Sequence, residues 1–204
     1  MRRRLDPEER RKEILRAAAR AFAALPYDEV HVEAVAAAAG ASRALVNHYF
    51  GDKRGLYLAV AQEMVERMPG VVRRDVAGGP EEMVAANTAA WLDIVESSPQ
   101  AFLNFVSGGP VADRRLDEFH DDLRDRIARR MLANHLGTDE IPAPALTVMR
   151  AELSLIEQAV RDWVVGRGGD RRQTEALIRA SILATVRQVI PAVLDVASGE
   201  RSPS

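Results

Sequence analysis

Residues 31–53 read HVEAVAAAAGASRALVNHYFGDK, two short apolar runs on either side of Ala39-Gly40-Ala41-Ser42. The first run, Val32 to Ala39, stops at Gly40, which supplies the left-handed backbone that ends a helix without a Cβ clash. Ser42 can cap a second run that reaches Phe50 and is broken by Gly51. The small side chains of 36–39 allow the two helices to approach closely. Such a pair is either a helix-turn-helix, whose second helix enters a DNA major groove, or a plain αα corner, and spacing leaves both open. In the first case the second helix brings Arg43, Asn47, His48 and Tyr49, which can donate to base edges or phosphates. Its N-terminal N–H groups also favour phosphate.

The flanking sequence is helical in the same way. Asp6-Pro7-Glu8-Glu9 is a start signal, with an N-cap acid, Pro at the first position and acids near the positive dipole end. Ile14, Leu15, Ala18, Phe22 and Leu25 follow at helical spacing until Pro26. Asp52 can cap a helix from Lys53 to Met68, ended by Pro69-Gly70. Further helices are expected from Gly79-Pro80 to Ser97, over 99–106, from about Leu116 to Gly137, over 145–165 and over 171–197. Strand-like alternation is absent, so the fold class is all-α.

A chain of 204 residues is long enough for one or two domains with a real core. It has no cysteine, which removes disulfides, Cys-ligated zinc and thiol nucleophiles together. The charged start, MRRRLDPEERRKE, is not a signal peptide. Arg179 and Arg187 interrupt the most apolar late stretch before 18 charge-free residues accumulate, so no membrane span is expected and the location is expected to be cytoplasmic. Residues 1–54 carry 11 basic against 8 acidic side chains, whereas 55–204 carry 17 against 22. A basic front on an acidic body suits an anionic partner for the front alone.

Phe22, Val32, Val35-Ala36, Ala39-Gly40-Ala41-Ser42 and the string Asn47-His48-Tyr49-Phe50-x-x-Lys53-x-x-Leu56 resemble the DNA-binding domain of the tetracycline-repressor (TetR) family of bacterial transcription regulators. The resemblance is specific over about residues 8–64; beyond them only the helical layout agrees. It implies a three-helix DNA-binding domain over 1–54, a helical effector-binding and dimerisation domain over 55–197 and a disordered tail over 198–204. By the same match Ser42, Arg43, Ala44, Leu45, Asn47 and His48 fall on the DNA-facing part, and Tyr49 and Lys53 on phosphate positions. Lys53 is one of two lysines in a chain that otherwise uses Arg. The chain departs from the family pattern at His31, which replaces the usual Thr cap, at Glu33, where some members have a basic phosphate contact, and at Asn47, Leu45 and Pro26.

Arg43 is the leading base-reading candidate, because a bidentate Arg–guanine contact discriminates by about 1–3 kcal/mol. Arg2, Arg3 and Arg4 could form an arm adding salt-sensitive affinity, or a solubilising end. Asp113, Asp117, His120, Asp121 and Asp122 are interleaved with Arg114, Arg115 and Arg124, and read as ion pairing on a solvated helix face. No metal and no cofactor are expected. Ser107-Gly108-Gly109 lacks the surroundings of a nucleophile turn, and Gly166–Gly169 lacks the Lys-Ser/Thr of a phosphate loop. With no nucleophile–base pair, an enzyme is not expected.

In TetR-like proteins an apolar cavity binds a small effector and the last two helices pair with their two-fold mates. The large apolar side chains here are Trp91, Phe102, Phe105, Phe119, Met131, Met149 and Trp163. Each is either cavity lining or ordinary core, and Trp163 with the apolar face of 176–193 could instead be dimer contact. The resemblance thus implies a homodimeric repressor that binds a near-palindromic DNA operator and is released by a small-molecule effector. The alternatives are a DNA-binding activator or constitutive repressor without effector, and an all-helical enzyme or ligand carrier.

Overall fold

The computed structural model describes residues 6–66, 78–106 and 114–199, and those residues are helical with no strand among them. The chain forms two compact units, one from residues 1–68 with 98–119, the other from 69–97 with 120–204. The Arg2–Arg4 arm, the Pro69-Gly70 break, Ser107-Gly108-Gly109 and Asp113 lie outside the described residues. So does the tail beyond Gly199; residues 198 and 199 still belong to the last helix.

The first unit begins with α1 (Pro7–Ala24), where the Asp6 N–H donates to the Glu9 carboxylate (3.4 Å) and Pro7 occupies the first turn. A single 3₁₀ turn (Tyr27–Glu29) follows Pro26, then α2 (Val32–Ala38), α3 (Arg43–Phe50) and α4 (Lys53–Glu66). As the caps predict, Ser42 Oγ accepts from the Leu45 N–H (3.2 Å) and Asp52 Oδ1 accepts from the Gly55 N–H (2.8 Å). The apolar stripe of α1, Ile14, Ala17, Ala18 and Phe22, meets Val32, Val35 and Ala36 of α2, Val46 of α3 and Leu56 and Tyr57 of α4 in one buried cluster. Leu116 joins that cluster, and α6 (Pro99–Val106) packs on α1. The module of three helices expected from the sequence therefore has two further pieces built into its core.

The second unit contains α5 (Pro80–Ser97), most of α7 (Arg114–Leu136), α8 (Ala143–Val164), α9 (Arg171–Ala184) and α10 (Ile190–Gly199). α9 packs against both α5 and α8. The carboxylate of Glu152, buried on α8, accepts from Ser181 Oγ (2.6 Å) and Thr185 Oγ1 (2.8 Å), which locks the register of the two helices. The Arg124 guanidinium grips Glu157 through Nε (2.9 Å) and Nη2 (2.7 Å), and this pairing holds its proton more firmly than usual.

Two features differ from expectation. His120 is buried, not part of the solvated acidic face, because it shares the inward stripe of α7 with Leu116 and Leu123. Two of the acids on that face are paired, Asp121 with Arg124 and Asp122 with Arg126. Second, the stretch expected as one helix over 171–197 contains a π-helical turn at Thr185–Val189, where the Ile190 N–H donates to the Thr185 carbonyl. Pro191 has no N–H to give and its ring would crowd the Arg187 carbonyl, so the helix widens just ahead of it. By length and composition alone Arg171–Val196 could cross a bilayer, with mean hydropathy 1.5. Along it Ile178, Ile182, Val186 and Ile190 are buried inside the second unit, while Leu177, Val189 and Val196 are exposed.

Candidate nucleic-acid interface

The turn between α2 and α3 is fixed by three local devices. Gly40 adopts φ +60°, the left-handed conformation anticipated for it. The Ala41 N–H donates back to the Ala36 carbonyl (2.9 Å), closing α2. From α1, Arg10 Nη1 donates to the Ala39 carbonyl (3.1 Å) while holding Glu13 (3.0 Å), so the first helix clamps the turn. Only then does Ser42 start α3. His31, by contrast, makes no side-chain cap for α2.

α3 turns one face inward and one outward. Val46 is buried at 1% exposure, with Tyr49 and Phe50 half-buried against the same core. Arg43, Ala44, Asn47 and His48 are exposed, and their i, i+1, i+4, i+5 spacing places them on one side of the helix. Ser42 is also exposed at the cap, and Leu45 is intermediate at the edge of this face. The eight residues expected to meet DNA are thus gathered on one short segment, from the N-cap of α3 to the first residue of α4.

Besides Ser42, which caps α3, three of them reach partners on other elements. Arg43 Nη1 lies 2.5 Å from Glu33 Oε1, in the first turn of α2. The Tyr49 hydroxyl donates to the Pro7 carbonyl (3.2 Å). Lys53 Nζ donates to the Asp28 carbonyl (3.0 Å) and stands 4.7 Å from the Tyr27 ring centroid. Tyr27 in turn meets Tyr57 edge-on at 5.3 Å, and burial pushes the Tyr57 phenol well above its usual ionisation range. Tyr49 and Lys53 therefore tie the C-terminal end of α3 and the corner after it to α1 and to the 3₁₀ turn.

A residue far along the chain completes the scaffold. Asn104 of α6 is buried and uses its whole amide: Nδ2 donates to the Phe22 (2.7 Å) and Leu25 (2.8 Å) carbonyls, and Oδ1 accepts from the Tyr27 N–H (3.0 Å) and Gln100 Nε2 (3.1 Å). It satisfies the backbone groups left open where α1 ends. Nothing in the local sequence pattern signals it, since its three backbone partners lie 77 to 82 positions away.

The seven apolar side chains weighed as effector lining divide between the units. Phe102, Phe105 and Phe119 belong to the first, and Trp91, Met131, Met149 and Trp163 to the second. Met149 is fully buried, while Trp91, Met131 and Trp163 are partly exposed. An open cleft of about 530 Å³ in the second unit has a different lining: Arg129, Arg130, Ala133, Asn134, Asp139 and Ile141. Among the described residues no group of three or more His, Asp or Glu is placed to hold a metal ion.

Residues 14–60 match the sequence profile of bacterial regulatory proteins of the tetR family. The chain is 32% identical over 149 residues to the HTH-type transcriptional repressor Rv1474c of Mycobacterium tuberculosis, covering 72% of this chain and 78% of that protein. It is 31% identical over 148 residues to the HTH-type transcriptional repressor AcnR of Corynebacterium diphtheriae, covering 67% and 73%. A tetR-family transcriptional regulator from Streptomyces coelicolor has a similar structure, with a TM-score of 0.77, 26% identity and coverage of 94% and 90%.

Proposed function

Because the chain belongs to the tetR family of bacterial regulatory proteins, we propose that it is a homodimeric repressor that binds a near-palindromic operator and lets go when a small effector binds. The outward face of α3, with Arg43, Ala44, Asn47 and His48 on a turn pinned by Gly40 and Arg10, is the observation that carries this reading. Ser42, Leu45, Tyr49 and Lys53 flank that face, with Tyr49 and Lys53 on the positions where the family match expects phosphate contacts. Two such helices related by a two-fold axis would sit about 34–36 Å apart, one turn of DNA, which is why an inverted repeat is the expected target. The repressor sign is taken from relatives whose names state it. A protein acting on the chromosome in this way works in the cytoplasm.

For the effector we favour an apolar contact set from the second unit, Trp91, Met131, Met149 and Trp163, with Phe102, Phe105 and Phe119 of the first unit as the remaining candidates. An effector that prefers a conformation with a different helix spacing lowers DNA affinity, and DNA lowers effector affinity by the same factor. Trp91 and Trp163 are the two tryptophans of the chain, so their fluorescence reports binding near them.

The test is selection of bound duplexes from a random pool, followed by titration across salt. Enrichment of an inverted repeat with a log–log salt slope of several units supports the reading. Arg43→Ala should then cost about 1–3 kcal/mol on the selected operator and far less on random duplex. A folded protein that enriches nothing and binds no duplex would end the DNA-binding reading.

A further inference from the structure

We propose that Glu33 is a specificity-determining residue of the DNA interface: it braces Arg43 so that the guanidinium is offered to guanine and withheld from phosphates. The inference rests on the DNA-binding reading above and adds to it a residue that makes recognition selective.

The observation is the 2.5 Å contact between Arg43 Nη1 and Glu33 Oε1, with both side chains more than half exposed. Neither residue is held by the core. They meet across the turn at 39–42 that joins α2 to α3. Glu33 stands in the first turn of α2, where the helix dipole favours its negative charge. Arg43 is the first residue of α3, held in place by the Ser42 cap. The pair is thus set by two backbone positions that are themselves fixed.

A guanidinium has five N–H donors in a rigid fork. With Nη1 engaged by Glu33, the remaining donors can still take O6 and N7 of a guanine as a bidentate pair. An unbraced arginine at the same place would sample many rotamers, and on any duplex the nearest strong acceptors are phosphates. Phosphate contacts add affinity and carry no sequence information. The brace disfavours that option, and the carboxylate itself repels the phosphate backbone whatever the sequence. Both effects lower binding to random DNA while leaving the guanine contact intact, which is selectivity gained by disfavouring the competitor. An exposed ion pair is weak, so the effect on affinity is small and the fold does not depend on it.

The experiment compares the wild-type full chain with Glu33→Gln and Glu33→Asp on the selected operator, on the operator with the Arg43-contacted guanine replaced, and on random duplex across salt. For Glu33→Gln, random-duplex affinity should rise about two- to fivefold. Its salt slope should steepen by about 0.9, one added phosphate contact, and the preference for guanine should fall. Glu33→Asp keeps the charge but is one methylene too short for the contact, so it should lose guanine preference at unchanged net charge. On an Arg43→Ala background neither change should alter guanine preference. Glu33→Asp that keeps full guanine preference, or Glu33→Gln that shifts operator and random duplex by one common factor, would reduce Glu33 to a diffuse negative charge and overturn the proposal. Wild-type protein that binds no duplex at all would instead remove the DNA-binding reading beneath it.

Discussion

At Gly55 a side chain has nowhere to go: a Cβ built there would lie 2.0 Å from the Phe50 carbonyl oxygen, a backbone atom that cannot swing aside. The close approach lets α4 start immediately after α3, with the Asp52 carboxylate on the Gly55 N–H. Gly55→Ala should force the α3–α4 corner open and cost about 1–3 kcal/mol, as overpacking does. A thermal melt of the variant tests this, and an unchanged midpoint would mean that the corner relaxes freely. At this scale much was legible. Ser42, Gly40 and Asp52 were readable because a cap or a left-handed turn involves residues within four positions of each other. The Glu33 partner of Arg43 was not, since ten residues and a chain reversal separate them, and periodicity says nothing about which charges face each other after the reversal.

The same limit grows at the scale of elements. Residues 99–106 read correctly as a short apolar helix between breaks, but that pattern does not say what the helix is for. Its function in the fold is carried by its buried polar residue, Asn104, whose amide closes the end of α1 and the entry to the 3₁₀ turn. Asn104→Asp replaces both donors with an acceptor facing the Phe22 and Leu25 carbonyls. Leaving buried groups unpaired costs about 1–3 kcal/mol, so the variant should melt earlier. Hydrogen exchange at the Tyr27 amide should speed up, because its acceptor is then repelled from the corner. Protection of Tyr27 equal to wild type would show that the turn holds itself without α6. Leu116 makes the parallel case: the sequence marks it only as the start of a long helix, and its place in the core of the first unit follows from tertiary packing.

The whole molecule presents a different kind of surface at its C-terminal end. Leu177, Val189 and Val196 are large, apolar and exposed. On an uninterrupted α-helix the twelve positions from 177 to 189 make about three and a third turns, which would set the two side chains on different faces. The π turn at Thr185–Val189 absorbs one residue, so the interval behaves as roughly eleven, about three whole turns, and the faces realign. Val196 follows seven residues later, about two turns further on. Pro191 thus does more than disturb a helix: the widening ahead of it gathers three exposed apolar residues into one stripe, the pattern a partner helix requires. In the homodimer proposed above this stripe would form the seam between copies. Leu177→Glu should then give a folded protein that sediments as a monomer and binds an isolated half-site about as well as wild type does. Its affinity for the full inverted repeat should drop steeply, because the two half-sites would no longer be held by one particle. If Leu177→Glu remains dimeric with operator affinity intact, the stripe is ordinary exposed surface and the seam lies on other helices.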